Sequence, residues 1–237
     1  MPEEEDVMNR VGVLTVLVAI ALAAAFPLGA NAGIITNFTS RGTFPGNDSL
    51  DWGQLGPEFT VVTAPFSATS LGGLTIHVIQ PGNASFERRA EGTGWLGIFT
   101  VGEHLLWNQD NSGEMDFSQT PIAGFGTSIS TDAGGTFTAT LKAFDGATLL
   151  GSLTVSGDAT AGGQLPPFAG ITDSVAEITG IVITANASAP VGTNNGFLID
   201  SLSLLTAPVP VPEPATWLLL SSALLGFGVV RRRNRKV

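Results

Sequence analysis

The sequence predicts an all-β fold for residues 33–205, an antiparallel β-sandwich of jelly-roll type, and three observations carry that expectation. The stretch holds no amphipathic helix of useful length. Short runs alternate apolar and polar residues at period two, as a half-buried strand does. Gly, Asn, Asp and Pro interrupt those runs at short intervals, where a chain turns. No repeat period is visible, which removes propellers and solenoids.

Taken in chain order, the expected strands are Phe59–Thr63, Leu74–Ile79, Trp95–Phe99, Glu114–Phe117 and Phe125–Ser130. Phe137–Phe144 has the clearest alternation: Phe137, Ala139, Leu141 and Ala143 share one face, and Thr138, Thr140 and Lys142 share the other. Asp145-Gly146 marks a tight turn, and Leu149–Ser156 returns beside it. Ile178–Ala185 and Phe197–Leu204 close the series. Strands with one apolar face need a second sheet to cover that face, hence the sandwich.

Charge is scarce and unevenly placed. The 237 residues carry a formal net charge of −10, and charged residues make up 13%, about half the usual share. Between residues 33 and 210 only Arg41, Arg88, Arg89 and Lys142 face fifteen Asp and Glu, a net of −11. Such a surface repels phosphate backbones, so nucleic acid is excluded as a partner. With no Cys, the chain has no disulfide, thiolate metal site or Cys nucleophile.

Two apolar runs flank this acidic region. Val11–Phe26 ends at Pro27 and is followed by Ala30-Asn31-Ala32, a small-x-small pattern that a signal peptidase accepts; residues 1–32 therefore read as a signal peptide cut after Ala32. Glu3, Glu4, Glu5 and Asp6 have the wrong sign for its leading segment. A start at Met8 leaves Met8-Asn9-Arg10 ahead of the run, with the expected charge, and is the start the sequence favours. At the other end, residues 206–214 form a Pro-rich linker. Pro208, Pro210, Pro212 and Pro214 alternate and keep it out of helix and sheet alike. Ala215–Val230 then gives one transmembrane helix of about 24 Å, short against a hydrocarbon core of about 30 Å. Arg231, Arg232, Arg233, Arg235 and Lys236, in the basic tail 231–237, fix that end on the cytoplasmic side. Arg10 lies on the same side, so residues 33–205 are expected outside the membrane.

The residues Val211-Pro212-Glu213-Pro214, followed by Ala215-Thr216-Trp217 and a Leu/Gly-rich run, then the Arg cluster, resemble the PEP-CTERM sorting signal. The resemblance implies that an exosortase recognises the box and removes the tail, with Ala215–Val230 as a transient membrane anchor. It implies delivery to the cell surface or extracellular space of a bacterium that secretes exopolysaccharide. The same motif is found at the ends of some ice-binding proteins. Ala139–Phe144, Leu150-Gly151-Ser152-Leu153, Phe168-Ala169-Gly170-Ile171 and Phe197-Leu198-Ile199-Asp200 are similar, in order, to a common ectodomain of sorted proteins. More loosely, they are similar to carbohydrate-binding jelly rolls.

Candidate sites are few. In jelly-roll modules the residue resembling Asp200 often helps hold a structural Ca²⁺, which wants several oxygen ligands. The plainer reading is a solvent-facing Asp at a strand end. No other cofactor is expected. Asp110–Asp116 is rich in oxygens but lacks a calcium-loop spacing. Trp52, Trp95 and Trp107 are the aromatic platforms available to a sugar ring, and there is no Tyr. Thr136, Thr138 and Thr140 line one strand face at period two, as ice-binding surfaces do, but strand propensity alone explains them and one strand makes no flat array. His77 and His104 have no second ligand at metal spacing. These observations rank three expectations: a structural or adhesive, non-catalytic surface protein; a carbohydrate-binding module; and, last, a glycan-cleaving enzyme using two carboxylates.

Overall fold

The computed structural model describes residues 33–79, 85–108, 114–160, 164–187 and 196–206. The signal peptide, the Pro-rich linker beyond Thr206, the C-terminal helix and the basic tail expected from the sequence lie outside these residues. Among the described residues no helix is long and apolar enough to cross a membrane.

Fifteen strands form within the described residues. They are β1 (Ile35–Phe38), β2 (Asp48–Leu50), β3 (Val61–Thr63), β4 (Phe66–Thr69), β5 (Thr75–Val78), β6 (Ser85–Ala90), β7 (His104–Asn108), β8 (Glu114–Ile122), β9 (Gly124–Thr131), β10 (Thr136–Asp145), β11 (Thr148–Asp158), β12 (Phe168–Asp173), β13 (Ile178–Ala187), β14 (Phe197–Ile199) and β15 (Leu202–Leu205). Short 3-10 turns at Arg41–Thr43 and Trp52–Leu55 complete the regular structure. One sheet runs β1-β12-β9-β14-β7-β6-β3, with β15 also on β9 and β2 on β15; the other runs β11-β10-β13-β8-β5-β4. Every ladder is antiparallel.

The alternation read in Phe137–Phe144 is what joins the two sheets. Phe137, Ala139, Leu141 and Ala143 are all buried, and they share one core with Phe125 and Ile129 of β9 and Ile181 and Ile183 of β13. Each fully buried Phe or Ile contributes ~1.5–3 kcal/mol. A sandwich of two antiparallel sheets around one core is therefore the observed architecture.

The expected strands hold with two exceptions. Trp95–Phe99 is a loop. Glu91 explains it: its buried carboxylate accepts from Gly97 N at 2.8 Å and Phe99 N at 3.3 Å, the N–H groups a ladder would have used. The loop folds over Leu105 and Leu198, which face away from the main core, and makes a second cluster with Phe99, Trp95 and Trp107. Phe59 also stands outside its strand, at φ 66°, with one ring face under the Arg89 guanidinium at 4.6 Å.

Phe197–Leu204 is one strand interrupted by a bulge. Ile199 faces Ile129 whereas Ser203 faces Gly126, so one residue more is used on this strand than on β9. The extra length falls at Asp200-Ser201. Beyond it β15 lies between β9 and β2, and Asn47 pins its exit: Asn47 N donates to Leu204 O at 2.9 Å and Asn47 Oδ1 accepts from Thr206 N at 2.9 Å.

Candidate functional site

Asp200 sits at that bulge with 3% of its surface exposed, so the solvent-facing reading of its sequence position is corrected. A bulge turns the side chain of the extra residue out of the regular alternation, and here it turns a carboxylate into the protein. Asp200 Oδ1 accepts from Ser128 N at 2.8 Å and Thr127 Oγ1 at 3.0 Å, and it is ion-paired with Arg41 Nη2. Trp52 Nε1 donates to the Asp200 carbonyl at 2.9 Å. Arg41 reaches the bulge from its 3-10 turn. Its Nη1 donates to Ser203 Oγ at 2.9 Å, its Nη2 also donates to Ser201 O at 3.0 Å, and its guanidinium lies 5.2 Å above the Phe168 ring. Phe168 in turn packs edge-on against Phe44, just after the same turn, at 5.7 Å.

A cleft of about 470 Å³ opens beside this pair, lined by Arg41, Thr100, Glu103, Ser128, Phe168 and Asp200 among others. Burial pushes the Asp200 carboxyl above the ordinary carboxylate range, against the pull of Arg41 and of its hydrogen bonds to Ser128 and Thr127. Glu103 is raised too, first by burial and then by the charge of Asp200. The residues do not fit the Ca²⁺ site that the resemblance implies. Asp200 already faces a guanidinium, Oδ1 is occupied by three donors, and among the described residues no three His, Asp or Glu side chains gather as a metal cluster would require.

The other candidates are scattered. Trp52 is fully buried, and Trp95 and Trp107 are packed on one another at 6.1 Å. His77 Nδ1 bonds Ser67 Oγ at 2.8 Å across β4 and β5, and His104 Nδ1 bonds Asp51 Oδ1 at 2.6 Å. Thr140 does not stand on one strand alone: it faces Thr154 on β11 and Thr184 on β13, and its hydroxyl bonds that of Thr154 at 2.9 Å. On the same sheet Asp116 is pushed up to about 6, by burial first and then by Glu114. It lines a trough of about 420 Å³ with Ser118, Phe144 and Gly180. Arg41 and Glu103 were missed at the sequence level, because sequence distance hides which charged groups a fold brings together; Asp116 lies in the oxygen-rich Asp110–Asp116 stretch, but its burial beside Glu114 was not legible there. Ala30, Ala32, Val211, Pro212, Glu213, Pro214 and the terminal basic residues lie outside the described residues.

Among solved structures the chain is similar to a DUF4465 family protein from Bacteroides caccae, at 11% identity and TM-score 0.42, covering 68% of this chain and 100% of that one. It is also similar to the enzymatically active domain of tailspike protein 4 from bacteriophage CBA120, at 10% identity and TM-score 0.25, covering 74% of this chain and 20% of that one. Neither likeness reaches a score that bears on function. No curated protein matches the sequence. Residues 210–233 match the PEP-CTERM protein-sorting motif, and the chain thus carries the tag of an exosortase substrate.

Proposed function

We propose that this is a cell-surface or extracellular-matrix protein whose β-sandwich is a structural or adhesive module without catalytic activity. The observation that carries the reading is the sorting motif at residues 210–233, which begins a few residues beyond the closing strand β15. A tag of this kind implies export and passage through the membrane, so the sandwich is the part delivered. Signal peptidase and exosortase would act on the two ends, and exopolysaccharide would be the medium the module meets. The sandwich supports a passive role: Asp200, the acidic residue buried at its bulge, is engaged by Arg41 in holding the closing strand. The carbohydrate-binding alternative is weakened, since Trp52 is fully buried and Trp95 and Trp107 are half-buried and packed on one another.

The test is mass spectrometry of the mature protein's two ends, from cells with and without the exosortase. Ends near Gly33 and near the 211–214 box, the second appearing only with the exosortase, are expected. A protein that keeps its terminal arginines in both strains defeats the reading. A glycan array probed with the mature protein tests the ectodomain: specific binding to one glycan would move the function to the carbohydrate-binding class.

A further inference from the structure

Among the described residues, four of the sandwich's five open strand edges are short. β1 and β4 have four residues each, and β2 and β3 have three. β11 has eleven, pairs with β10 on one side only, and ends its sheet. Natural edges of that length are blunted by lysine, proline, a bulge, an inward charge or a covering segment; the one bulge in the β10–β11 ladder, at Leu150, lies before the Gly151–Gly157 stretch. Thr148–Gly157 contains no charged residue and no proline. Among the described residues one side chain donates to a β11 carbonyl, Asn37 Nδ2 to Ser152 O at a long 3.4 Å. Leu153, beside the core, remains half-buried, and Leu149 is 52% exposed.

The edge also has an internal symmetry. Gly151-Ser152-Leu153-Thr154-Val155-Ser156-Gly157 reads nearly the same in both directions about Thr154. An antiparallel partner of identical sequence, related by a two-fold axis at Thr154, would place Ser152 opposite Ser156, Leu153 opposite Val155 and Gly151 opposite Gly157. Side-chain faces are preserved, because directly opposed residues share a face. Val155 and Leu153 point to the core and Ser152, Thr154 and Ser156 to solvent, so apolar meets apolar and hydroxyl meets hydroxyl. The charge distribution permits the same partner. Two copies of a chain of net charge −10 repel, except where they meet along a stretch free of acids.

We propose that β11 is a self-association edge, at which two copies of this chain join their six-stranded sheets through an isologous β11–β11 ladder centred on Thr154. For a protein delivered to a surface or matrix this gives lateral contact between copies, and it stands whether or not the delivery reading holds.

The native chain has no Cys, so single introduced cysteines report the register directly. The full chain, solubilised in detergent and mildly oxidised, is compared on non-reducing gels. Thr154→Cys faces itself across the axis and should yield covalent dimer as the main species. Ser152→Cys alone and Ser156→Cys alone should not, since each faces the other position, whereas a mixture of the two should. Ser67→Cys on the β4 edge is the control and should stay monomeric. Association through the apolar ends would not produce this positional pattern. In addition, Thr154→Lys should weaken dimerisation by about tenfold or more, by setting like charges face to face, while Ser67→Lys leaves it unchanged. Cross-linking no stronger at Thr154→Cys than at Ser67→Cys overturns the proposal, as does dimerisation indifferent to Thr154→Lys.

Discussion

Arg41 Nη2 pairs with the buried carboxylate of Asp200, 159 positions further along the chain, so an early 3-10 turn holds the bulge of the closing strand. Removing the cation leaves a carboxylate that is 3% exposed with, among the described residues, two neutral donors. Arg41→Ala should therefore cost about 3 kcal/mol at pH 7, toward the low end for a broken buried pair because Arg41 itself is 39% exposed. The loss should shrink as pH falls toward the ordinary carboxylate value of 3.8 and Asp200 takes up a proton. Urea unfolding at pH 7 and pH 4 checks both statements; an equal loss at the two pH values would show that the ion pair is not what Arg41 contributes.

Asp116 supplies a pH dependence of opposite use. Its carboxyl is raised from 3.8 to about 6, so between those values the folded protein holds a proton that the unfolded chain has released. Stability from this group is present in full below pH 3.8 and is lost as pH rises through 6. Asp116→Asn removes the cost of ionising there. Its melting temperature should exceed that of the native protein at pH 7 and match it at pH 4, as measured by thermal scans in both buffers.

Gly126 is sterically required. A Cβ there would lie 2.5 Å from Phe168 Cζ and 3.1 Å from Gly170 Cα, in the layer where Phe168 and Phe44 cover β9 and β12. Gly126→Ala should cost ~1–3 kcal/mol by overpacking. Gly134→Ala, where a Cβ meets nothing within 4 Å, should fall within about 0.5 kcal/mol of the native protein. Chemical denaturation of the two variants side by side is the measurement.

Glu91 organises the loop over Leu105 and Leu198 through its two backbone hydrogen bonds. Glu91→Ala should leave those N–H groups unpaired, at about 1–3 kcal/mol, and open the loop first. Proteolytic nicking between residues 91 and 103 should become faster than in the native protein, with Trp95 fluorescence shifted to the red. Unchanged nicking would mean that the apolar cluster alone holds the loop.

The fold class was legible because period-two alternation is local: Phe137–Phe144 announces a half-buried strand by itself, and so do Ile178–Ala185 and Leu149–Ser156. What eluded sequence reading was set by contacts and burial that the alternation pattern does not carry. Trp95–Phe99 has strand composition, but a carboxylate four to eight residues earlier takes its N–H groups. Phe168–Asp173, buried on both faces, shows no alternation to find. Phe197–Leu204 was seen as a strand, but its bulge was hidden, since a one-residue surplus exists only relative to β9. The identity of Asp200 drew notice, and its partner did not, because nothing near Arg41 in the sequence points to a strand 159 residues away.

The placement of β15 has a mechanical consequence. The sorting tag follows it directly, so whatever tethers the tail pulls on the sandwich at Thr206, where Asn47 clamps the backbone. β15 is hydrogen-bonded to β9 along one side and to β2 along the other. A force along its axis must shear two ladders together instead of unzipping one bond at a time, so the body resists traction best when the pull comes through this closing strand.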